Sequence, residues 1–303
     1  MTKSRFKPLK INNIITHGKD NAPNIDKYKS RLKSTDNLIL PLEDELVLLE
    51  QLEEFDLGKF LLKNQGLNGF WTSYIISGYR QKRKLHTLER WLIRKAPTVK
   101  AIQERVAIVN DLLQKYLENQ TTIASIPCGL MDDLLNLEYP VDLDMQLIGV
   151  DLDQKAINLA KENSVRSNLV NCTKFVKKDA WNLGVIDQYN MITSHGLNIY
   201  ETNDTKVIAL YKEFYNALKK DGILITSFLT PPPRLSESST WENFDEKDLI
   251  RQDAIFDDIL QAAWQKSYRT EEQMREHLES VGFSIIEVIY DSQKIFPTII
   301  AKK

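Results

Sequence analysis

The sequence predicts an α/β protein with a doubly wound, seven-stranded mixed sheet that follows an N-terminal helical region. Leucines at helical spacing dominate residues 41–120. After residue 120, short apolar segments typical of strands alternate with helical segments, a pattern that indicates a doubly wound sheet. The last two strand segments lie so close in sequence that they should pair antiparallel. A mixed sheet with a reversed final strand is therefore expected.

Composition favours an ordinary globular protein. The 303 residues are 42% hydrophobic and 27% charged, and the net charge of -2 provides no general attraction to nucleic acid or membranes. No apolar run reaches the roughly 18 to 20 residues that cross a bilayer. Cys128 and Cys172 lack metal-ligand spacing, so we expect no metal site, a reduced compartment and a cytoplasmic location.

Three regions follow from the pattern along the chain. Residues 1–40 are expected to form a polar N-terminal arm, residues 41–120 a helical cap region, and residues 121–303 the sheet domain. In the cap, "LEDELVLLEQLEEFDLGKFLLKN" predicts one helix, and further helices are expected from Trp71 to Arg83, from Thr87, and after Pro97. Residues 231–269 interrupt the sheet domain as an insertion.

The sheet domain contains seven strand segments. In chain order they are "TTIASIP", "MQLIGVDL", "CTKFVKKDA", "YNMITSHGL", "ILITSFL", "FSIIEVIYD" and "FPTIIAKK". The helices between them are "QKAINLAKENSVRSN", "DTKVIALYKEFYNALKKDG" and "TEEQMREHLESVG". We expect Gly222 to close the second of these helices.

Ligands of doubly wound sheets bind at the carboxyl ends of the strands. Four segments occupy such ends: "IASIPCGLMDDLL" with its single Gly129, "GVDLD", "KKDAW" and "SHGLNIYE". Asp151 is placed to accept hydrogen bonds from ribose hydroxyls, and Asp179 could bind an adenine amino group. The alternative is that an acid after a strand only caps the next helix, as Asp153 could.

These segments carry a resemblance to a known family. From about residue 120 to 303 the chain resembles the class I S-adenosylmethionine-dependent methyltransferases, most closely in "LIGVDLDQKAINLAKEN" and "FYNALKKDGILITSFL". The resemblance implies a Rossmann-like methyltransferase domain, S-adenosylmethionine as cofactor with S-adenosylhomocysteine as product, and direct transfer of a methyl group to a small-molecule acceptor. The cofactor-binding residues that it implies are Cys128, Gly129, Leu130, Asp151, Leu152, Asp179, Ala180, Ser194, His195 and Gly196.

The first motif departs from the family pattern. Ser125 stands where the family usually has an acid, and Pro127 and Met131 stand where it has glycines. Pro127 has no N–H to donate to a ligand. Another group, a water, or Asp132 or Asp133 must replace the missing acid.

His195 and Tyr200 are the candidate catalytic residues. The resemblance places both near the transferred methyl group, and a general base is needed only when the acceptor is protonated. The alternative is a histidine hydrogen-bonded to backbone in a turn at Gly196. The Asn/Asp-Pro-Pro-Tyr signature of many amino-methylating enzymes is absent, which argues against nucleic-acid base methylation.

Aromatic residues supply further candidates. Trp71 and Tyr74 could cover the sulfonium, because aromatic faces attract cations, although aromatic packing between helices explains them equally well. Tyr79 and Arg80 could reach the methionine carboxylate or the substrate. In the insertion, the candidate substrate-binding residues are Arg234, Trp241 and Trp264.

Two other functions remain open. The altered first motif favours a catalytically degenerate methyltransferase fold that binds a partner, whereas the acids at the second and third strand ends argue against it. The basic segment 80–95 could serve an RNA methyltransferase, although a solvated helix face explains it better and makes nucleic acid a less favoured partner. We expect no membrane partner, and a homodimer is compatible with the sequence.

Overall fold

The computed structural model describes residues 23–78, 84–118, 121–139 and 144–303. Its described residues divide into two compact units. We call residues 104–241 and 267–303 the sheet unit, and residues 23–103 and 242–266 the helical unit. Residues 242–266, which belong to the predicted insertion, therefore group with the N-terminal helices.

The helical unit is built from short helices around a leucine-rich core. Its helices are α1 (Ile25–Lys33), α2 (Leu42–Leu52), α3 (Asp56–Asn64), α4 (Gly69–Gly78), α5 (Thr87–Arg94) and the first part of α6 (Pro97–Lys115). Pro97 occupies the first turn of α6, where its missing N–H costs nothing. The segment 42–64, predicted as one helix, breaks before α3. Phe55 is extended there, with φ of -138°.

Residues 242–266 pack onto these helices. They contain α10 (Glu246–Asp253), numbered in chain order, and a π-helix (Ala254–Ile259). The backbone N–H and the hydroxyl of Thr98 both donate to Gln252 Oε1 at 2.8 Å, and Trp91 Nε1 donates to Asp248 at 2.7 Å. Side-chain hydrogen bonds thus join α10 to α5 and α6.

The sheet unit contains the predicted seven-stranded mixed sheet. Its strands are β1 (Thr121–Ser125), β2 (Met145–Asp151), β3 (Thr173–Lys177), β4 (Tyr189–Ser194), β5 (Leu218–Ser227), β6 (Ser284–Ile289) and β7 (Thr298–Lys302). The strand order is β3-β2-β1-β4-β5-β7-β6. β1 to β5 are parallel, and β7 lies antiparallel between β5 and β6, so the predicted mixed sheet and its reversed strand are confirmed.

Helices cover both faces of the sheet. Its other helices are α7 (Asp132–Leu135), α8 (Gln154–Arg166), α9 (Asp204–Ala217) and α11 (Glu271–Ser280). One core joins residues of α6, α7 and α8 to the face that carries Ile225 and Ile300, and a second core joins α9 and α11 to the opposite face. α9 ends at Ala217 and β5 begins at Leu218, so Gly222 lies within the strand and does not close the helix.

The register brings four strand ends to one edge, which we call the carboxyl edge. Ser125 of β1 pairs with Thr193 of β4. Ser227, the last residue of β5, pairs with Thr298, the first residue of β7, because the two strands run in opposite directions. Among the described residues, no helix is long and apolar enough to cross a membrane.

Candidate functional site

The loop after β1 keeps a glycine-type conformation without the usual glycines. Gly129 and Met131 both have positive φ, of 49° and 61°. Left-handed backbone is unfavourable for residues with a Cβ atom. The Met131 side chain is completely buried in the core beneath the loop, which offsets this strain.

Neighbouring residues of this loop can meet a ligand mainly through their backbone. The side chains of Cys128 and Leu130 are buried, with 5% and 2% of their surface exposed. Burial raises the pKa of the Cys128 thiol, which keeps it protonated and poorly nucleophilic. The Cys128 N–H donates to the Val150 carbonyl of β2 at 2.8 Å. The loop is thus fixed against the next strand.

Asp151 connects the loops after β1 and β2. Its Oδ2 accepts from the Gly129 N–H at 2.9 Å, and its Oδ1 accepts from the Asp153 N–H at 2.9 Å. Burial raises the pKa of Asp151. Asp153, in contrast, caps α8 through the Lys155 N–H, as the helix-cap alternative predicts. Leu152, between the two acids, leaves 63% of its surface exposed.

Asp179 lies at the same edge, just after β3. Its carboxylate accepts from the Trp181 N–H at 3.0 Å and caps a short 3-10 helix, Ala180–Asn182. Asp179 is exposed, whereas Ala180 is buried. Asp151 of β2 pairs with Lys177 of β3. Asp179 comes two residues after Lys177 in the sequence. Both acids therefore border the same end of the sheet.

An acid from α7 lies against the position where the first motif lacks one. The Ser125 hydroxyl donates to Asp133 Oδ2 at 2.8 Å, and Asp133 Oδ1 accepts from the Leu134 N–H at 2.9 Å. Burial raises the pKa of Asp133 to about 6. Of the two acids that could replace the missing one, Asp133 is therefore the one in contact with Ser125.

His195 is held by side-chain hydroxyls at the end of β4. Its Nε2 lies 2.6 Å from Thr193 Oγ1, and its Nδ1 lies 3.3 Å from Ser227 Oγ. These contacts differ from the backbone-bonded histidine considered as the alternative. Burial, and then the charge of Arg105, lower the pKa of His195 well below its usual range. The ring is therefore neutral at pH 7.

The residues around His195 are also fixed. Ser194 is buried, and its carbonyl accepts from the Thr226 hydroxyl at 2.9 Å. Gly196 has a φ of 82°, and a Cβ atom there would meet nothing within 4 Å. Its conformation, rather than crowding, therefore favours glycine.

Arg269 anchors the loop that carries Tyr200. Its guanidinium donates to the carbonyls of Asn198 at 3.1 Å and Glu201 at 2.7 Å, and to Asp204 at 2.9 Å. Arg269 is buried, with 3% of its surface exposed, whereas Tyr200 is 39% exposed. The loop after β4 therefore depends on a residue distant in sequence.

Comparison with known proteins now identifies the family. Residues 123–222 match the model of a methyltransferase domain. A possible exported protein from Bordetella parapertussis is 36% identical to the chain, with a TM-score of 0.88 over 92% of this chain and 94% of that one. Over residues 123–222, the predicted resemblance to the class I S-adenosylmethionine-dependent methyltransferase family is therefore confirmed. S-adenosylmethionine is the cofactor of that family.

A more distant methyltransferase shares only the fold. The magnesium protoporphyrin IX methyltransferase from Synechocystis PCC 6803, with bound S-adenosylhomocysteine, is 15% identical. It aligns with a TM-score of 0.53 over 78% of this chain and 94% of its own. None of the curated proteins matches the chain.

The aromatic residues Trp71 and Tyr74, predicted from their chemistry to cover the sulfonium, lie in the helical unit. Trp71 and Tyr74 are almost completely buried there, with ring centroids 5.2 Å apart in an edge-on arrangement. Tyr74 donates to Glu89 at 2.5 Å. These contacts are those of aromatic packing between helices, and a role near the sulfonium stays a prediction. Tyr79 and Arg80 lie outside the described residues.

The three candidates from the insertion have different surroundings. Arg234 is exposed. Trp241 belongs to the sheet unit, where its indole N–H donates to the hydroxyl of Thr230 at 2.9 Å. Trp264 belongs to the helical unit and packs edge-on against Phe256, with ring centroids 5.3 Å apart. Their substrate-binding roles stay predictions.

Sequence reasoning missed Arg105. It lies on α6 with 5% of its surface exposed, and its Nη1 donates to Ser227 Oγ at 3.3 Å. A signal was present: Arg105 falls in step with the buried apolar positions Ala101, Val109 and Leu112. A charged residue on an apolar helix stripe is the pattern that could have revealed it. Within the described ranges, no cluster of His, Cys, Asp and Glu could hold a metal ion.

Proposed function

We propose that this protein transfers a methyl group from S-adenosylmethionine to a small-molecule acceptor by direct displacement. The hydrogen bond from the Gly129 N–H to Asp151 Oδ2, at 2.9 Å, is the observation that carries the proposal. It joins a glycine of positive φ to an acid at the ends of adjacent parallel strands, which is where doubly wound sheets bind nucleotides. The altered first motif thus still connects the loops after β1 and β2.

The residues of this edge fit the cofactor. Asp151 would accept hydrogen bonds from the ribose hydroxyls, because each carboxylate oxygen has a second lone pair beyond its backbone contact. Leu152, with 63% of its surface exposed, offers an apolar surface to the adenine. Asp179 and Ala180 would bind the adenine edge, and Gly129 would lie beneath the methionine end. Asp133 would take the place of the missing acid toward the methionine ammonium.

In a direct displacement, the protein mainly aligns the acceptor with the methyl group and excludes water. The bound cofactor supplies a methyl group on a positively charged sulfur. A bond forms between the acceptor atom and the methyl carbon as the sulfur–methyl bond breaks, giving S-adenosylhomocysteine. If the acceptor loses a proton, the neutral ring of His195 can accept it. The proton would go to one of the two ring nitrogens, which contact the hydroxyls of Thr193 and Ser227 in this structure. Tyr200 lies four residues beyond Gly196 and leaves 39% of its surface exposed.

The residues at the end of β5 support the proposal of a small-molecule acceptor. The side chains there are hydroxyls and an arginine that are buried, which are polar groups able to orient a small molecule by hydrogen bonds. Mass spectrometry of a metabolite extract incubated with the protein and S-adenosylmethionine should find a compound that gains one methyl group. Methylation of RNA without any change among small molecules would contradict this part of the proposal.

Calorimetry tests the cofactor site. S-adenosylhomocysteine should bind the wild type, and Asp151→Ala should weaken that binding tenfold or more, because a hydrogen bond to a charged group contributes about 1.5 to 3 kcal/mol. Asp221→Ala is the matched control: this exposed acid of the sheet unit pairs with Lys302 and should leave the affinity unchanged. No binding of either S-adenosylmethionine or S-adenosylhomocysteine to the wild type would refute the proposal and favour a degenerate binding protein.

A further inference from the structure

Arg105 is a cation buried within the sheet unit. Among the residues that the structure describes, it forms no ion pair with a carboxylate. Its Nη1 donates to Ser227 Oγ at 3.3 Å, and its guanidinium carbon lies 4.9 Å from the ring centroid of Phe296. Its Nε is buried and finds no hydrogen-bond partner in the described part of the chain. The guanidinium therefore has donor capacity that the folded protein does not use.

This charge persists at neutral pH. Burial lowers the pKa of Arg105 to about 10, while the negative charge of Asp291 opposes the shift. The carboxylate of Asp291 accepts hydrogen bonds from the backbone N–H groups of Gln293, Ile295 and Phe296. Asp291 is thus engaged in holding its own loop. Burying a charge without a paired counter-charge is unfavourable, so such a group is expected where a ligand supplies the missing charge.

Thr298 contributes a second buried polar atom, on the sheet face that carries the Ser227 side chain. Thr298 is completely buried, and none of the described residues forms a hydrogen bond with its Oγ1. Ser227 and Thr298 are paired residues of β5 and β7, so their side chains point to the same face. Arg105 reaches that face through Ser227. We call Arg105, Ser227 and Thr298 the anion cluster.

The anion cluster lies away from the loop that carries Gly129. In the strand order β1-β4-β5-β7, β5 is the second strand from β1 and β7 the third. At about 4.8 Å per strand, the cluster is roughly 10 to 14 Å from the end of β1. It adjoins His195 instead, because Ser227 Oγ also lies 3.3 Å from His195 Nδ1. A group bound there would belong to a ligand positioned beside the end of β4.

We propose that the anion cluster binds a carboxylate or phosphate group of the methyl acceptor. The guanidinium offers paired N–H donors to two oxygens of such a group, and the Thr298 hydroxyl offers a further donor. The inference rests on the proposed function, since it presumes that an acceptor binds beside the cofactor. It narrows the acceptor to an anionic small molecule.

Three probes test the inference on protein saturated with S-adenosylhomocysteine: benzoate, benzamide and inorganic phosphate. Ligand-observed NMR titrations should show binding of benzoate or phosphate, and benzamide should bind at least tenfold more weakly than benzoate. Arg105→Met should weaken the anions at least tenfold. The matched control is Arg166→Met, an exposed arginine of the same unit that pairs with Glu162, and it should bind them like the wild type.

Two further variants keep the test informative if Arg105→Met fails to fold. Arg105→Lys retains the charge without the planar fork and should weaken the anions by a smaller factor. Thr298→Val removes a buried hydroxyl without a partner, so it should not lower the unfolding temperature, yet it should weaken the anions about threefold. Unchanged anion binding in these variants would overturn the inference.

The experiment separates the two sources of a carboxylate. If Arg105→Met weakens S-adenosylhomocysteine as strongly as Asp151→Ala and benzoate competes with S-adenosylhomocysteine, the cluster binds the cofactor's own carboxylate and the inference is wrong. Equal binding of benzoate and benzamide would also overturn it. Failure of the wild type to bind S-adenosylhomocysteine is a different result, because it refutes the proposed function itself.

Discussion

The two halves of the carboxyl edge differ in charge and in how they are built. The cofactor half, at the ends of β1, β2 and β3, carries the acids Asp133, Asp151 and Asp179. The acceptor half, at the ends of β4 and β5 and the start of β7, has two buried cations, Arg105 and Arg269. Acids suit a cofactor with a sulfonium and an ammonium, and cations suit an anionic acceptor. The contrast agrees with the proposal of a cationic cofactor beside an anionic acceptor.

The halves also differ in how far apart their interacting residues lie in sequence. Ser125 and Asp133 are 8 residues apart, and Gly129 and Asp151 are 22 apart. In the acceptor half, Arg105 and Ser227 are 122 residues apart, and Arg269 and Asn198 are 71 apart. Local sequence therefore determines much of the cofactor half, whereas the acceptor half is assembled by long-range folding.

The largest effect should come from Arg269→Met, which removes the anchor of the acceptor half. The carbonyls of Asn198 and Glu201 would lose their donor, so the free energy of unfolding should fall by about 3 kcal/mol. Denaturant unfolding measures this loss, and calorimetry should show S-adenosylhomocysteine affinity within about threefold of the wild type if the halves act separately.

Arg275→Met is the control for that variant. Arg275 forms an ion pair with Glu271 on the surface of α11, and such exposed pairs contribute about 0.5 kcal/mol or less. Equal destabilisation by the two variants would show that the contacts of Arg269 carry no special weight. A tenfold loss of cofactor affinity in Arg269→Met would show that the halves are coupled.

A smaller effect is expected from Met131→Gly, which restores the family's glycine in the cofactor half. Relief of left-handed strain should stabilise by about 1 kcal/mol, whereas loss of the buried side chain should cost about 2 to 5 kcal/mol. The net result should be a loss of about 2 kcal/mol in thermal or denaturant unfolding. Asn168→Gly, at an exposed residue with φ of 58°, should be neutral or stabilising. A stabilised Met131→Gly would show that the methionine does not hold the loop.

Within the cofactor half, Asp133 should also make the stability depend on pH. Its folded pKa of about 6 is raised above the usual value of 3.8, so the ionised form is disfavoured in the folded protein. Its contribution to stability should therefore decline as the pH rises from about 4 to 6, by on the order of 2 kcal/mol. Asp133→Asn should remove this decline, so its stability relative to the wild type should increase from pH 4.5 to pH 7.5.

Ser125→Ala tests the hydroxyl that faces Asp133. Removing this donor should raise the pKa of Asp133 further and steepen the decline, because the hydrogen bond favours the ionised carboxylate. If the unfolding free energies of Asp133→Asn and the wild type differed by the same amount from pH 4.5 to 7.5, this account of the cofactor half would be contradicted.

Sequence patterns predicted the strands and their reversal because apolar alternation and turn residues are local signals. The same signals were less reliable where tertiary packing changed the local outcome. The segment 42–64 breaks into α2 and α3. Gly58 permits the tight turn between them, because a Cβ atom at this position would lie 2.1 Å from the Leu52 carbonyl oxygen. Gly222 was expected to end a helix, but β5 begins at Leu218, where pairing with Tyr189 of β4 outweighs helix propensity.

By itself, the sequence determined the order of strands and helices, the acids at the strand ends and the family resemblance, because each depends on spacing along a short stretch of chain. Only the tertiary structure decided that Asp133 meets Ser125, that two hydroxyls hold His195, and that Arg105 is buried beside Ser227. Those contacts depend on strand register and on how helices pack against the sheet. Such long-range contacts leave little trace in local composition, and here the only trace was one arginine on the apolar stripe of α6.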